Sequence, residues 1–189
     1  GHVDFSAETE RTMQVIDYAV LVISGTDGIQ SHSATLWKLL RQYNIPVFIF
    51  VNKIDLCGAD KKKVLSELQK RFSNACIDFS SNEEDITEGL AMCCDELAEK
   101  YLDGESISDD EISNAIAERR IFPCFFGSAL KMDGVEDFIK IIGRYAKESQ
   151  RYNEFGAKVF KISSDAKGNR LTFLKVCGGS LKLRDELTY

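Results

Sequence analysis

The residues best suited to chemistry are Asn52, Lys53 and Asp55, which follow a run of five apolar residues at 47–51. An apolar run of this length is typical of a strand that is buried on both faces of a parallel sheet. Open α/β sheets bind their ligands at the carboxyl ends of the strands. We therefore expect these three side chains to line a binding site.

The carboxylate of Asp55 can accept two hydrogen bonds, from the ring N–H and the exocyclic amine of guanine. Adenine has a ring acceptor in place of the N–H, so a site built for guanine rejects it. The amide of Asn52 can form hydrogen bonds that hold the neighbouring backbone in place, and the aliphatic stem of Lys53 can lie along the base. The pattern predicts guanine recognition; the alternative is a strand followed by an ordinary polar turn.

A second candidate loop, Gly127-Ser128-Ala129-Leu130-Lys131, follows another apolar run at 121–126. A small, flexible turn at the carboxyl end of a strand lets backbone N–H groups approach a ligand closely. The sequence therefore predicts that this loop presents backbone groups to the same kind of ligand.

A strand–helix–strand pattern precedes these loops and must position the first of them. Residues 18–23 predict a buried strand, Asp27 and Gly28 a turn, and the residues after Ser31 a helix that leads to Pro46. The spacing is that of a right-handed parallel crossover. Further helices are predicted at 5–17, at 60–72 and after Gly134, so this part of the chain is α/β.

Residues 83–111 are strongly acidic, yet their apolar residues keep helical spacing, which predicts a folded amphipathic helix that ends at Gly104. Ser108 and Glu111 form a capping-box pattern that opens another short helix. Paired carboxylates can indicate acid–base chemistry or a metal site, but nothing nearby raises a pKa or completes a ligand set. We interpret them as a solvated face and predict no metal site.

From Gly156 onward the apolar residues alternate with polar ones. Residues 157–163 and 171–177 predict two strands joined by a turn-rich segment, and 181–189 predict a third. This pattern indicates the opening of an antiparallel β domain. We place the domain boundary at 150, which gives an α/β domain at 1–150 and a β domain at 151–189.

Composition narrows the function classes. The net charge is −6, so the chain offers no general basic surface for DNA. No apolar run approaches the ~20 residues that cross a bilayer, and the first residues lack the basic and apolar regions of a signal peptide. The six cysteines include no Cys-x-x-Cys pair, which indicates reduced thiols in a cytoplasmic protein.

Four stretches together resemble the translational GTPases. Gly1-His2-Val3-Asp4-Phe5 resembles the end of their switch motif, Asn52-Lys53-Ile54-Asp55 their guanine-specificity motif, Gly127-Ser128-Ala129-Leu130-Lys131 the loop whose backbone reads guanine, and residues 160–174 the start of their β-barrel second domain. Their order and spacing agree along the whole chain, so the resemblance covers all of it.

The resemblance implies a P-loop NTPase-type parallel sheet with flanking helices, followed by the first strands of an antiparallel β-barrel. It implies GTP or GDP as the ligand and GTP hydrolysis as the activity. The guanine-binding residues would be Asn52, Lys53, Asp55, Ser128, Ala129 and Leu130. Gly1 would offer its amide to the γ-phosphate, and His2 would be the catalytic residue that positions the attacking water.

The chain departs from the family because it contains no Gly-x-x-x-x-Gly-Lys-Ser/Thr phosphate loop. The expected Mg²⁺ ligands are missing with it, so we expect a fragment of a longer GTPase that is inactive alone. A fragment would also leave sheet edges open, the edge of strand 18–23 among them. Such edges are candidate surfaces for dimerisation.

Within the family, the chain looks most like the tetracycline-resistance ribosomal protection proteins. The interval from Cys57 to Phe126 is short and mainly helical, as in those proteins. Residues 97–106 and 183–185 also resemble the corresponding stretches of those proteins. The ribosome would then be the partner of the complete protein. Two alternatives stay open: an elongation factor G-like translocation factor, and a nucleotide-free interaction module with a vestigial site.

Overall fold

The computed structural model of the protein describes residues 6–148 and 152–186. By their internal contacts these residues form two compact units, Asp17–Lys147 and a second unit that joins the described residues of Gly1–Ile16 and Glu148–Tyr189. This grouping places the first helix with the C-terminal strands. The domain boundary at 150 stays a prediction.

The larger unit, Asp17–Lys147, is an α/β structure. Its strands are β1 (Ala19–Ser24), β2 (Val47–Asn52), β3 (Cys76–Asp78) and β4 (Phe122–Phe126), and its helices are α2 (Ser31–Gln42), α3 (Lys61–Arg71), α4 (Glu83–Cys93), α5 (Asp95–Leu102), α6 (Asp109–Ala117) and α7 (Val135–Tyr145). The smaller unit contains α1 (Ser6–Met13), β5 (Gly156–Ser164) and β6 (Arg170–Gly178).

All four strands of the larger unit run parallel in the order β1-β2-β4-β3. The parallel pairing of β1 and β2 through the crossover helix α2 is therefore confirmed, and its right-handedness stays a prediction. Asn52 at the end of β2 pairs with Ser24 at the end of β1. The carboxyl ends of these two strands consequently lie at one level of the sheet.

Strand β2 is the centre of the core because its apolar run is buried on both faces. Val47, Phe48, Ile49 and Val51 have no exposed surface. Helix α7 covers one face, where the ring of Phe138 lies 5.1 Å from those of both Phe50 and Phe125. This aromatic packing fixes β2 against β4, and with it the two loops that follow these strands.

Strand β1 forms one edge of the sheet in the part of the chain that the structure describes. Val20 and Val22 are 47% and 55% exposed, so one face of this strand is open as well. The structure agrees with the sequence-based expectation of an apolar edge strand at 18–23.

The acidic helical region differs from its prediction in one respect. The predicted single helix is broken at Cys94, whose backbone is extended, and so forms α4 and α5. The predicted capping box is confirmed, because Ser108 and Glu111 bond each other's backbone N–H groups. The carboxylate of Glu111 also pairs with Lys100 at 2.6 Å.

The smaller unit contains the predicted hairpin, with β5 and β6 antiparallel. Helix α1 contacts the hairpin through Lys161, whose Nζ lies 3.1 Å from the carboxylate of Glu8. The predicted third strand is not found among the described residues that end at Glu186. Lys182 and Asp185 instead close a hydrogen-bonded turn there.

Candidate functional site

Two loops meet at the carboxyl end of the sheet, one after β2 and one after β4. The N–H of Gly127 donates to the carbonyl of Val51 at 3.0 Å, and the N–H of Ile54 donates to the carbonyl of Gly127 at 3.1 Å. The two loops are thus joined by backbone hydrogen bonds that continue the sheet beyond its last paired residues.

The side chain of Asn52 ties the loops together. Its Oδ1 accepts a hydrogen bond from the N–H of Lys53 at 2.8 Å and one from the N–H of Ala129 at 2.9 Å. Its backbone carbonyl accepts the N–H of Gly25 at 2.7 Å, which adds the loop after β1. Asn52 therefore connects the ends of three strands.

Lys53 adopts a left-handed backbone conformation with φ of 65°, which is uncommon for residues other than glycine. The hydrogen bond from its N–H to Asn52 accompanies this conformation. Backbone strain of this kind costs ~1–3 kcal/mol and persists where the surrounding contacts enforce it. Lys53 itself is exposed at the edge of the loop.

The carboxylate of Asp55 sits at the opening between the loops with its side chain 20% exposed. Its Oδ2 lies 2.8 Å from Nζ of Lys131. Hydrogen bonds from Lys131 and then from the hydroxyl of Ser128 hold the pKa of Asp55 below its usual value. The group is therefore an ionised acceptor at neutral pH.

The second loop is a tight turn with one buried and one fully projecting side chain. Ser128 is 2% exposed and exchanges backbone hydrogen bonds with Asp133, both 3.0 Å long. A single turn of 3₁₀ helix follows at Ala129–Lys131, and Leu130 within it is 96% exposed. The turn thus presents a backbone segment and an apolar side chain beside Asp55.

Gly127 has a steric reason to be glycine. A Cβ added there would collide with the carbonyl oxygen of Asp133 and approach the ring of Phe50 to 3.0 Å. The close return of the loop onto its strand therefore depends on the missing side chain.

The structure brings together Asn52, Lys53, Asp55, Ser128, Ala129 and Leu130, which are six of the eight predicted site residues. The other two, Gly1 and His2, lie outside the described residues. Sequence reasoning missed Lys131 as the partner of Asp55, although the residue is part of the quoted motif. Its only signal is a positive charge in a loop expected to meet a carboxylate.

Two further kinds of feature are absent from the residues that the structure describes. They contain no group of three or more His, Cys, Asp or Glu side chains arranged to hold a metal ion. Among them, too, no helix is both long and apolar enough to cross a membrane.

Comparison with known proteins identifies the family and agrees with the fold. The family model described as the elongation factor Tu GTP binding domain matches residues 1–148. The fold resembles the crystal structure of ttk003000868 from Thermus thermophilus, with a TM-score of 0.80 and 19% identity over 98% of this chain and 35% of that chain. At this identity the likeness supports the fold alone.

Similar sequences come from tetracycline resistance proteins. TetM from transposon Tn5251 of Streptococcus pneumoniae is 32% identical over 99% of this chain, TetP of Clostridium perfringens 31% over 99%, and TetO of Campylobacter coli 32% over 98%. The chain spans about a third of the length of these curated relatives, 32% in each case. The family match and these identities lead to one conclusion: the chain belongs to the translational GTPases that share the elongation factor Tu GTP binding domain.

Proposed function

We propose that this chain supplies the guanine-reading half of the GTP site in a ribosome-dependent GTPase. The observation that carries the proposal is the ionised carboxylate of Asp55, held at 2.8 Å from Lys131 in the opening between two loops. Asn52 bridges those loops through the N–H of Ala129. Asn52 thus holds the two loops in place, and the charged carboxylate of Asp55 lies where guanine would present its two donors.

In this proposal the base lies between the stem of Lys53 and the turn at Ala129–Lys131. Asp55 accepts the ring N–H and the exocyclic amine, while the carbonyl oxygen of guanine faces the backbone of the turn. An adenine in the same position would place a lone pair against the carboxylate. A site whose buried polar groups would be left unpaired by the wrong base rejects that base by ~10⁴–10⁵-fold, and by less where water reaches those groups.

The phosphates would be bound by residues outside this chain. The sequence contains no Gly-x-x-x-x-Gly-Lys-Ser/Thr loop, which in GTPases holds the phosphates and the Mg²⁺ ion. We therefore propose that the chain works as part of a longer protein and binds GTP weakly by itself. Gly1 would contact the γ-phosphate there, and His2 would orient the attacking water.

The identity to TetM, TetP and TetO supports a role in tetracycline resistance through the ribosome. An elongation factor G-like role in translocation is the second candidate, because the family match does not separate the two activities. A nucleotide-free interaction module is the third, and wild-type nucleotide binding distinguishes it from both.

The test uses the full-length protein that contains this chain, measured for GTP hydrolysis with and without ribosomes. We expect slow hydrolysis alone and a large increase with ribosomes. His2→Ala should abolish that increase and leave GTP binding nearly intact, because the imidazole contributes mainly in the transition state. His32→Ala, at the other histidine of the chain, is the matched control because it is exposed on α2.

Drug tolerance of cells then assigns the activity. If cells that express the full-length protein tolerate tetracycline and His2→Ala removes that tolerance, the resistance role is supported. Translocation without tolerance moves the assignment to the elongation factor G-like role. If ribosomes do not stimulate hydrolysis and neither activity appears, the proposed function is wrong and the interaction module is favoured.

A further inference from the structure

A cavity of about 680 Å³ opens between helices α4, α6 and α7 of the larger unit. The loop after β3 and residues 101–107 complete its wall. Its volume lies within the ~300–1,000 Å³ that is usual for pockets that hold small organic molecules. The lining residues lie outside the two loops of the candidate guanine site, so this cavity is a separate feature of the molecule.

The floor of the cavity is apolar and belongs to the packed core. Phe79, Leu90 and Ile112 line it and are buried. The ring of Phe79 lies 6.0 Å from the ring of Tyr145 in an edge-to-face arrangement, which fixes α7 against the loop after β3. Tyr101 is 42% exposed and adds aromatic surface to the wall. Such a floor favours a ligand with an apolar or aromatic body, because burial of that surface is favourable.

The charges of the lining are predominantly negative. They comprise three carboxylates, Glu83, Glu84 and Asp109, and one guanidinium, Arg144. Nε of Arg144 lies 2.7 Å from Oδ2 of Asp109, and the guanidinium lies 5.3 Å from the ring centre of Tyr145. This ion pair balances Asp109 and leaves the negative charges of Glu83 and Glu84, both exposed at the start of α4, in excess.

We propose that this cavity binds a small organic cation, an amine carried on an apolar or aromatic body. The ammonium lies near Glu83 and Glu84, and the body lies on the apolar floor. The lining is drawn from several elements around one concave space, which fits a compact molecule, whereas an amphipathic helix of a partner docks in an extended groove. The inference is independent of guanine recognition, because the two sites share no residue.

The experiment compares three ligands that share one body and differ in charge: phenylbutylamine, phenylbutanol and phenylbutyrate. Their dissociation constants are measured at low salt by saturation-transfer NMR on the full-length protein that contains this chain. Exposed charge pairs contribute about 1.5- to fivefold each, so the two carboxylates predict that the amine binds about two- to twentyfold more tightly than the alcohol. The carboxylate ligand should bind most weakly.

Removal of the two excess charges tests the charge preference. Glu83→Gln combined with Glu84→Gln should make the amine bind like the alcohol and leave the affinity for the alcohol unchanged. Glu88→Gln combined with Glu99→Gln is the matched control, because it removes two exposed carboxylates of α4 and α5 that lie outside the lining. The control has the same net charge and should keep the wild-type preference for the amine.

A bulky side chain in the cavity tests the location. Thr87 lines the cavity on α4, and its hydroxyl donates to the carbonyl of Glu83 at 2.7 Å. Thr87→Phe should abolish detectable binding of the amine and of the alcohol. Thr35→Phe is the control, because the hydroxyl of Thr35 makes the equivalent bond on α2, to the carbonyl of Ser31 at 3.1 Å. This variant should bind all three ligands like the wild type.

Four results would overturn the proposal. The first is an amine that binds no more tightly than the alcohol, and the second is an equal loss of preference in both double variants, which indicates a general charge effect. The third is an equal effect of Thr87→Phe and Thr35→Phe. The fourth is a peptide of alternating leucine and lysine that binds where phenylbutylamine does not, which would assign the cavity to a basic protein segment instead.

Discussion

Asn52 Oδ1 accepts the N–H of Ala129 at 2.9 Å, and this one hydrogen bond joins loops that follow two different strands. The same oxygen accepts the N–H of Lys53 at 2.8 Å. Because Asp55 and Ser128 lie on the two loops so connected, the position of the carboxylate relative to its hydroxyl partner depends on Asn52.

Asn52→Ala should therefore weaken both the fold and the site. Two hydrogen bonds are lost and two backbone N–H groups lose their partner, which predicts a decrease of about 1–2 kcal/mol in the free energy of unfolding. Urea titration followed by circular dichroism measures it. Asn153→Ala, at an exposed asparagine of the smaller unit, is the control and should change stability little. Equal stability of the two variants would show that the bridge contributes nothing.

The capping box at the start of α6 predicts an acid-sensitive contribution to stability. Lys100, followed by the backbone N–H and hydroxyl of Ser108, lowers the pKa of Glu111 from 4.5 to about 2. A carboxyl group whose folded pKa is lowered stabilises the fold above its unfolded pKa, and the contribution is lost as the pH falls through the folded pKa. Stability should thus decline between pH 4.5 and about 2.

Unfolding titrations of Glu111→Gln across that range test this assignment. The variant should be less stable near neutral pH and should show a shallower decline in acid. Glu88→Gln, at an exposed carboxylate of α4, is the matched control. A decline as steep as that of the wild type in Glu111→Gln would show that other groups cause it.

The open edge of β1 predicts self-association of residues 1–189 expressed alone. In the described part of the chain this strand pairs on one side with β2, and its Val22 is 55% exposed. Apolar edge strands template pairing with a second chain. Light scattering should detect dimers that Val22→Lys abolishes and that the control Ile139→Lys, at an exposed position of α7, does not. A monomer at high concentration would contradict the prediction.

The parts of the fold that the sequence predicts correctly are those with strong local signals. The apolar runs before Asn52 and Gly127 indicate β2 and β4, and the capping box indicates the start of α6. Strand β3 was missed because Cys76–Asp78 has three residues, too few to show a period. The break at Cys94 was missed because the apolar spacing continues through it and the change lies in the backbone.

The residues of the candidate site likewise divide into those that a local sequence pattern predicts and those that it does not. Asn52, Lys53, Asp55 and Ser128 stand out because a polar motif follows a buried strand, a local signal. The pairing of Lys131 with Asp55 depends on how β2 and β4 align in the sheet, which no local pattern encodes. Tertiary contacts of this kind decide the state of the carboxylate, so its partner emerges only from the folded chain.

Base reading by Asp55 is tested by comparing GDP with xanthosine diphosphate as ligands of Asp55→Asn in the full-length protein. The amide both accepts and donates, so it can pair with the oxygen that xanthine carries where guanine has an amine. We expect weaker GDP binding and a preference for xanthosine diphosphate in Asp55→Asn, whereas Asp137→Asn, at an exposed aspartate of α7, should behave like the wild type. An unchanged preference for GDP in Asp55→Asn would contradict the claim that Asp55 reads the base.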